Sequence, residues 1–541
     1  MKSVLLIPLF IFLQVSGSNL LACTNLLVTP GASADGSAFL YYSNDGEWLY
    51  HLSKKEAMNH PSGESISFTS RDNITGRIPQ VPHSYAVLGF HMNEHQLSIG
   101  ETTFVGREEL WDHSAFLEYW HLMSLALERA KTAREAIQVI TSLVEKHGYA
   151  SEGESFSIVD KKEAWILEMI GAGNGSGKVL WVAVKIPDGS VSAHANMARI
   201  GEFPLNDPDN CLYSKNVISF ALENGWFNPD SGTPFRFNDI YNPPSPDRLK
   251  YCETRVWRLF SRISPSLKLS PDYHRGVPGA ERYPLYIKPD KKLTLNDVIN
   301  LVRDHYEGTH FDMTTGVDAG PFGSPFRVRP LLWKSENEEC SWERPLSSPN
   351  SAFTFIAQIR PYLPDPLGGI VWFGVDDSFF TVYIPVYNGI TQIPEPFRTG
   401  DLSRFSWKSM FWVFNFVSNY ANLRYDKMIP DIQKVQKELE SSMIADQDSV
   451  SSVFIIQTKE KQIQVLNDYT LMATDKVHSA WTELGESLIT RYNDGYIQDE
   501  NGSPREHGYD QNWLDMIRKS NPERYQLKKW DDEYRNSFTP H

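Results

Sequence analysis

Between Cys23 and Ala198 the chain passes through a series of short segments in which apolar and polar residues alternate. They are CTNLLVTP, AFLYYSND, SYAVLGFHMNEHQLSIGETTF, SFSIVDKKEAWILEMI, VLWVAVKIP and SVSAHANMARI. Alternation of this length is the mark of strands with one face turned to a core. The series is interrupted by SAFLEYWHLMSLALERAKTAREAIQVITSLVEKHG, whose apolar residues recur at helical spacing up to Gly148. Two consecutive helices are expected there, the second capped by Thr132. A Pro- and Asp-rich region, 204–246, reads as loops. Strands resume at SAFTFIAQIRP and GGIVWFGVDDSFFTVYIPVY, and a helical section is expected over about 427–492. With no internal repeat and no low-complexity linker, the pattern predicts one large α+β domain rather than a string of modules.

Charge and motifs then exclude several functions. Against 67 acidic residues stand 52 basic ones, a formal net charge of −15, with no basic stripe for a phosphate backbone. Zinc-finger spacing, HExxH and a phosphate-cradling glycine loop are missing from the sequence. Nucleic acid is therefore not expected as a partner, and no metal or cofactor is called for.

The chain opens on Met1-Lys2-Ser3, an apolar run from Val4 to Val15, and small or polar residues Ser16 to Asn19. This resembles a secretory leader and is too short for a membrane span. Later, FWVFNFVSNY is the nearest thing to a span, and it is short and broken by Asn415. The expectation is an exported protein (secreted, periplasmic or in an organelle lumen), with residues 1–22 removed and 23–541 forming one domain. Sequons at Asn73, Asn174 and Asn501 permit glycosylation. Four cysteines, Cys23, Cys211, Cys252 and Cys340, lack any close pairing. One disulfide with two thiols, or two disulfides, are the plain expectations, Cys211–Cys252 among them.

Cys23 sits where the leader ends. Leu20-Leu21-Ala22-Cys23 has the ends of a lipoprotein box, although Leu21 fits it poorly and polar residues separate it from the apolar run. An ordinary buried thiol is a second reading. The third is an N-terminal nucleophile. Cutting after Ala22 would place a thiol and a free α-amine on one residue, and an α-amine with an ordinary pKa near 7.7–8.0 suits a general base.

In this third reading, CTNLLVTPGASADGS resembles the start of the dipeptidase A family of cysteine N-terminal nucleophile (Ntn) hydrolases. Secernins, penicillin V acylases and bile salt hydrolases are its more distant kin. SIGETTFVGRE, GESFSIVDKKEAWILEMIG, WVAVKIPDGSVSAHANMARIGEF, CETRVWRLF, GGIVWFG and SLITRYNDGYI extend the resemblance, in order, across nearly the whole mature chain. The resemblance implies an αββα sandwich with the nucleophile on a central strand. It implies hydrolysis of short peptides through a thioester on Cys23, with Asp45 orienting the α-amine and an Asn196 N–H donating to the oxyanion. Glu101 and Arg199 become candidates for a dipeptide's amino group and terminal carboxylate, or for a structural ion pair, and Arg255 is a further substrate-binding candidate. Where the relatives commonly carry an arginine, three positions before the aspartate, this chain has Tyr42. An acylase acting on another amide, and a non-catalytic secernin-like binding protein, are the alternatives.

Overall fold

The computed structural model describes residues 22–538 apart from 47, 327, 328 and 500. The expected leader thus lies outside the described residues, save for its last position, Ala22. Fifteen strands form two antiparallel sheets. In chain order they are β1 (Ala22–Val28), β2 (Ala38–Asp45), β3 (Lys54–Lys55), β4 (Val87–Leu88), β5 (Met92–Asn93), β6 (Ser98–Phe104), β7 (Gly153–Val159), β8 (Ala164–Gly171), β9 (Val179–Lys185), β10 (Val191–His194), β11 (Cys211–Tyr213), β12 (Tyr286–Ile287), β13 (Ser351–Ile359), β14 (Gly369–Val375) and β15 (Ile384–Tyr387). The first sheet has the order β12-β10-β1-β2-β13-β14-β15, and the second β11-β9-β8-β7-β6-β5-β4-β3.

Helices close both outer faces. α1 (Tyr119–Arg129) and α2 (Ala133–His147) pack on the second sheet, where Trp181 Nε1 donates to Glu145 at 3.0 Å. The side chain of Thr132 accepts from Glu135 N, capping α2 as its sequence predicts. α3 (Thr254–Ile263) follows a π-turn over Leu249–Glu253. α4 (Met410–Ala421), α5 (Tyr425–Ile455) and α6 (Lys459–Arg491) cover the first sheet. The FWVFNFVSNY segment becomes α4, with Phe414 stacked on Trp481 of α6 at 4.7 Å between centroids. Among the described residues no helix is long and apolar enough to cross a membrane.

The result is an αββα sandwich of the Ntn type. Strands with both faces covered read as continuous apolar runs. Every residue of β13 and β14 is buried, which explains SAFTFIAQI and GIVWFGV. β1 and β2 break that rule. Both are buried, yet Thr24, Asn25, Ser43, Asn44 and Asp45 are polar. Burying such groups is costly unless each finds a partner, so their partners locate the site.

Candidate active site

Cys23 is the second residue of β1 and is 1% exposed. It faces Asn44 across the β1–β2 ladder, while Ala22 faces Asp45. The β1–β10 pairing begins only at Asn25↔His194, so the chain after His194 is free to turn. It does so through Asn196, whose φ of 62° is left-handed, a conformation asparagine tolerates better than most residues. That turn aims the Asn196 amide at Cys23, whose main-chain N donates to Oδ1 at 3.1 Å. Close approach of the two sheets here depends on Gly100, where a Cβ would lie 2.5 Å from Asn25 Oδ1. Asn25 Nδ2 in turn donates to Glu101 O at 2.7 Å.

The thiol is enclosed by a polar network. Cys23 Sγ donates to Glu101 Oε1 at 3.4 Å, and Asn44 Nδ2 approaches Sγ at 3.8 Å. The Tyr42 hydroxyl donates to the same Glu101 oxygen and accepts from Asn44 Nδ2 at 2.9 Å. Trp48 Nε1 donates to Asn44 Oδ1 at 2.9 Å. Tyr42, standing where the relatives commonly have arginine, therefore puts a neutral hydroxyl beside the thiol. Burial, with Glu101, Asp45 and Glu154 nearby, pushes the Cys23 thiol well above its ordinary pKa. With a peptide bond before Cys23, the sulfur is held as thiol.

Arg255, fully buried on α3, cradles this end of β1. Its guanidinium donates to Cys23 O (2.7 Å), Thr24 Oγ1 (3.0 Å), Ala195 O (3.2 Å), Asn196 Oδ1 (3.0 Å) and Tyr251 O (3.1 Å). All five acceptors belong to the protein, and together they fix the backbone around Cys23. Arg199 is also held by protein groups. Its guanidinium donates to Ala193 O, Tyr283 O and Pro284 O and lies 3.6 Å from Glu253. Its carboxylate neighbour is thus Glu253, and its other acceptors are main-chain carbonyls.

Asn196 presents its oxygen to Cys23, and its Nδ2 donates to Thr103 O at 2.8 Å. That oxygen is the acceptor shared by Cys23 N–H and Arg255. Asp45 accepts from Ser351 Oγ at 2.6 Å. Burial raises its pKa, opposed mainly by the Arg344 guanidinium, the Ser351 hydroxyl and Arg255. His194, on neighbouring β10, lies between Thr102 Oγ1 (2.7 Å) and Ser157 Oγ (2.8 Å), and burial holds it neutral with a pKa of about 3. It bridges the sheets and is not a base for the thiol.

Asn44, Glu154, Arg344 and Ser351 also belong to this neighbourhood, beyond the residues to which the sequence points. Glu154 carried a signal, a carboxylate inside the buried strand GESFSIV. Asn44 lay inside the SND stretch read only for its aspartate. Arg344 and Ser351 lie more than 300 residues from Cys23, and nothing local marks them.

All four cysteines are separate thiols, so the disulfides expected of an exported chain do not form here. Cys252 sits on the π-turn, donating to Asn196 O at 3.4 Å, while Cys211 pairs with Val184 at the edge of the second sheet.

A thiol at the head of a central strand, inside an antiparallel four-layer sandwich, defines an Ntn-type hydrolase architecture. The model of peptidase family C69 matches residues 67–438, well over half of the sequence and beginning after Cys23 and Asp45. The chain belongs to peptidase family C69 and is a cysteine-type peptidase. It is similar to a probable dipeptidase of Salmonella dublin, 28% identical over 403 residues, covering 71% of this chain and 85% of that protein. A probable dipeptidase of Latilactobacillus sakei is 24% identical over 489 residues, covering 87% and 95%. Dipeptidase A of Lactobacillus helveticus is 22% identical over 494 residues, covering 86% and 93%.

Proposed function

We propose that the protein is an exported dipeptidase that hydrolyses short, unblocked peptides through a thioester on Cys23, after removal of the residues before it. The observation that carries the reading is the placement of Cys23. Its sulfur meets Glu101 and Asn44 while its nitrogen faces Asn196 Oδ1, so one residue offers both nucleophile and base to the same site. The relatives' names favour dipeptides over other amides, and the leader-like start supports export.

In the reaction, the α-amine freed by cutting before Cys23 takes the proton from Sγ. The new ammonium lies beside the sulfur and offsets the carboxylates that otherwise keep it protonated. Asn44 Nδ2 steadies the thiolate, which then attacks the peptide carbonyl and passes its charge to the carbonyl oxygen. The ammonium then protonates the departing amine, and water attacks the thioester to release the acid and restore the thiol. Arg255 and Asn196 hold the nucleophile's backbone throughout, and Asp45 adds negative charge beside the ammonium. Cys23→Ala tests this directly: hydrolysis of an unblocked dipeptide should fall below detection, with Cys23→Ser retaining a trace. Full activity in Cys23→Ala would end the proposal.

A further inference from the structure

The carboxyl of Glu101 meets a second one. Glu154, on β7 diagonally across from Glu101 on β6, is hydrogen-bonded to it, and Thr103 Oγ1 donates to Glu154 Oε2 at 3.0 Å. Both glutamates are fully buried. Apart from this mutual contact, Glu101 Oε2 and Glu154 Oε1 receive no hydrogen bond from any described residue. Two carboxyls hydrogen-bonded to each other must share a proton between them. The groups facing the pair are the Cys23 thiol and the hydroxyls of Tyr42, Tyr119 and Tyr149, with Glu152 and Asp45 in the wider field. No cation is among the main influences on either carboxyl. A single negative charge is thus left buried beside the nucleophile.

Resting on the dipeptidase reading, we propose that this pair is the subsite for the substrate's free α-ammonium: Glu101 carries the charge that binds it, and Glu154, holding the shared proton, is a positioning residue that keeps Glu101 ionised. The reach is right. In an attack geometry the carbonyl carbon lies about 3–3.5 Å from sulfur. A peptide's α-nitrogen is about 2.5 Å from that carbon by backbone bond lengths and angles. A carboxylate oxygen 3.4 Å from Sγ is therefore close enough for the ammonium of a bound, unblocked peptide to reach it. Burial and the Glu101 charge push the Glu154 carboxyl far up, which matches the proton residing there. Burial raises Glu101 too, but less far, because it accepts hydrogen bonds from Tyr42, Glu154 and Cys23. An N-acylated substrate would bring a neutral amide to this charge and leave it uncompensated, so the pair selects against blocked peptides. Filling the subsite also neutralises the carboxylate that touches the thiol, easing ionisation of sulfur only when a suitable substrate is bound.

The test compares an unblocked dipeptide with its des-amino analogue in the mature protein and in Glu154→Gln and Glu154→Leu. Glutamine can still donate to Glu101, whereas leucine cannot. In the wild type, kcat/KM for the unblocked dipeptide should exceed that of the analogue at least 100-fold. Glu154→Leu should lose at least tenfold of that preference through a raised KM, and Glu154→Gln should recover it to within about threefold. If Glu154→Leu does not fold, Glu101→Gln replaces it and should show the same collapse. A preference unchanged in Glu154→Leu, or lost equally in Glu154→Gln, overturns the role of Glu154. A wild type that cleaves both compounds equally, yet depends on Cys23, removes the ammonium subsite and leaves the nucleophile intact. A wild type that cleaves neither, while a different amide is hydrolysed through Cys23, removes the dipeptidase reading itself.

Discussion

Cys23 and Cys252 are two buried thiols that engage the same asparagine, one through its main-chain N and Oδ1, the other through its Sγ and the Asn196 carbonyl. Electrostatics alone would choose the wrong one. Burial raises Cys252 to about 11, with Arg255 and Arg344 working to lower it, whereas Cys23 is pushed well above its ordinary value by burial and three carboxylates. A lowered thiol pKa is the usual mark of a reactive cysteine, and neither has one. What separates them is position along the chain. A cut before Cys23 would leave the strand that carries it whole, whereas a cut before Cys252 would sever the π-turn that leads into α3. On the proposed reading, the site belongs to the cut chain.

Substitutions sharpen the contrast in order of expected effect. Cys23→Ala should remove turnover, while Cys252→Ala should leave kcat/KM within about threefold and lower stability by about 1 kcal/mol, read by urea denaturation. Equal losses in both would erase the distinction. Arg255→Met should be next. It removes the donor to Cys23 O, Ala195 O and Tyr251 O, so a stability loss of about 3 kcal/mol and a fall of at least tenfold in kcat are expected. Arg255→Lys should recover little, because a single ammonium cannot span the carbonyls that the guanidinium fork reaches. Tyr42→Phe removes the hydroxyl shared by Glu101 and Asn44 and should cost about tenfold in kcat/KM with little change in melting temperature.

A smaller effect, on stability alone, separates this cluster from a carboxylate buried for the fold. Glu168 on β8 accepts from Arg199 N at 2.6 Å and Ile200 N at 3.0 Å, bracing the segment that follows Asn196. Burial raises it from 4.5 to about 7. The folded state therefore holds a proton that an unfolded chain releases near 4.5. This contribution to stability is complete below that pH and is lost as pH rises through about 7. Denaturation at pH 5 and pH 8 should show this loss in the wild type and a flatter profile in Glu168→Gln. Thr132→Ala, far from the thiol, should cost about 1 kcal/mol through its lost cap and leave kinetics untouched.

Much of the sandwich was legible because covered strands must be apolar and a capped amphipathic helix announces its start. GIVWFGV and the Thr132 cap are local signals of that kind. Cys23 was legible through its place behind the leader, and Asn196 and Arg255 through motif resemblance, although their contacts were not. The direction of the Asn196 amide is set by Arg255, 59 residues away, and Arg199 is occupied by carbonyls of 193, 283 and 284. Such partners are chosen by tertiary packing, which no local pattern encodes. Glu154 shows the intermediate case: a charge within a buried strand was readable as an anomaly, but its hydrogen bond to Glu101 depends on strand register.

Intact-mass and N-terminal analysis of the purified active protein tests the central claim most directly. The account predicts that every active molecule begins at Cys23 with a free α-amine. A fully active form that retains Ala22, or any residue before it, would contradict it.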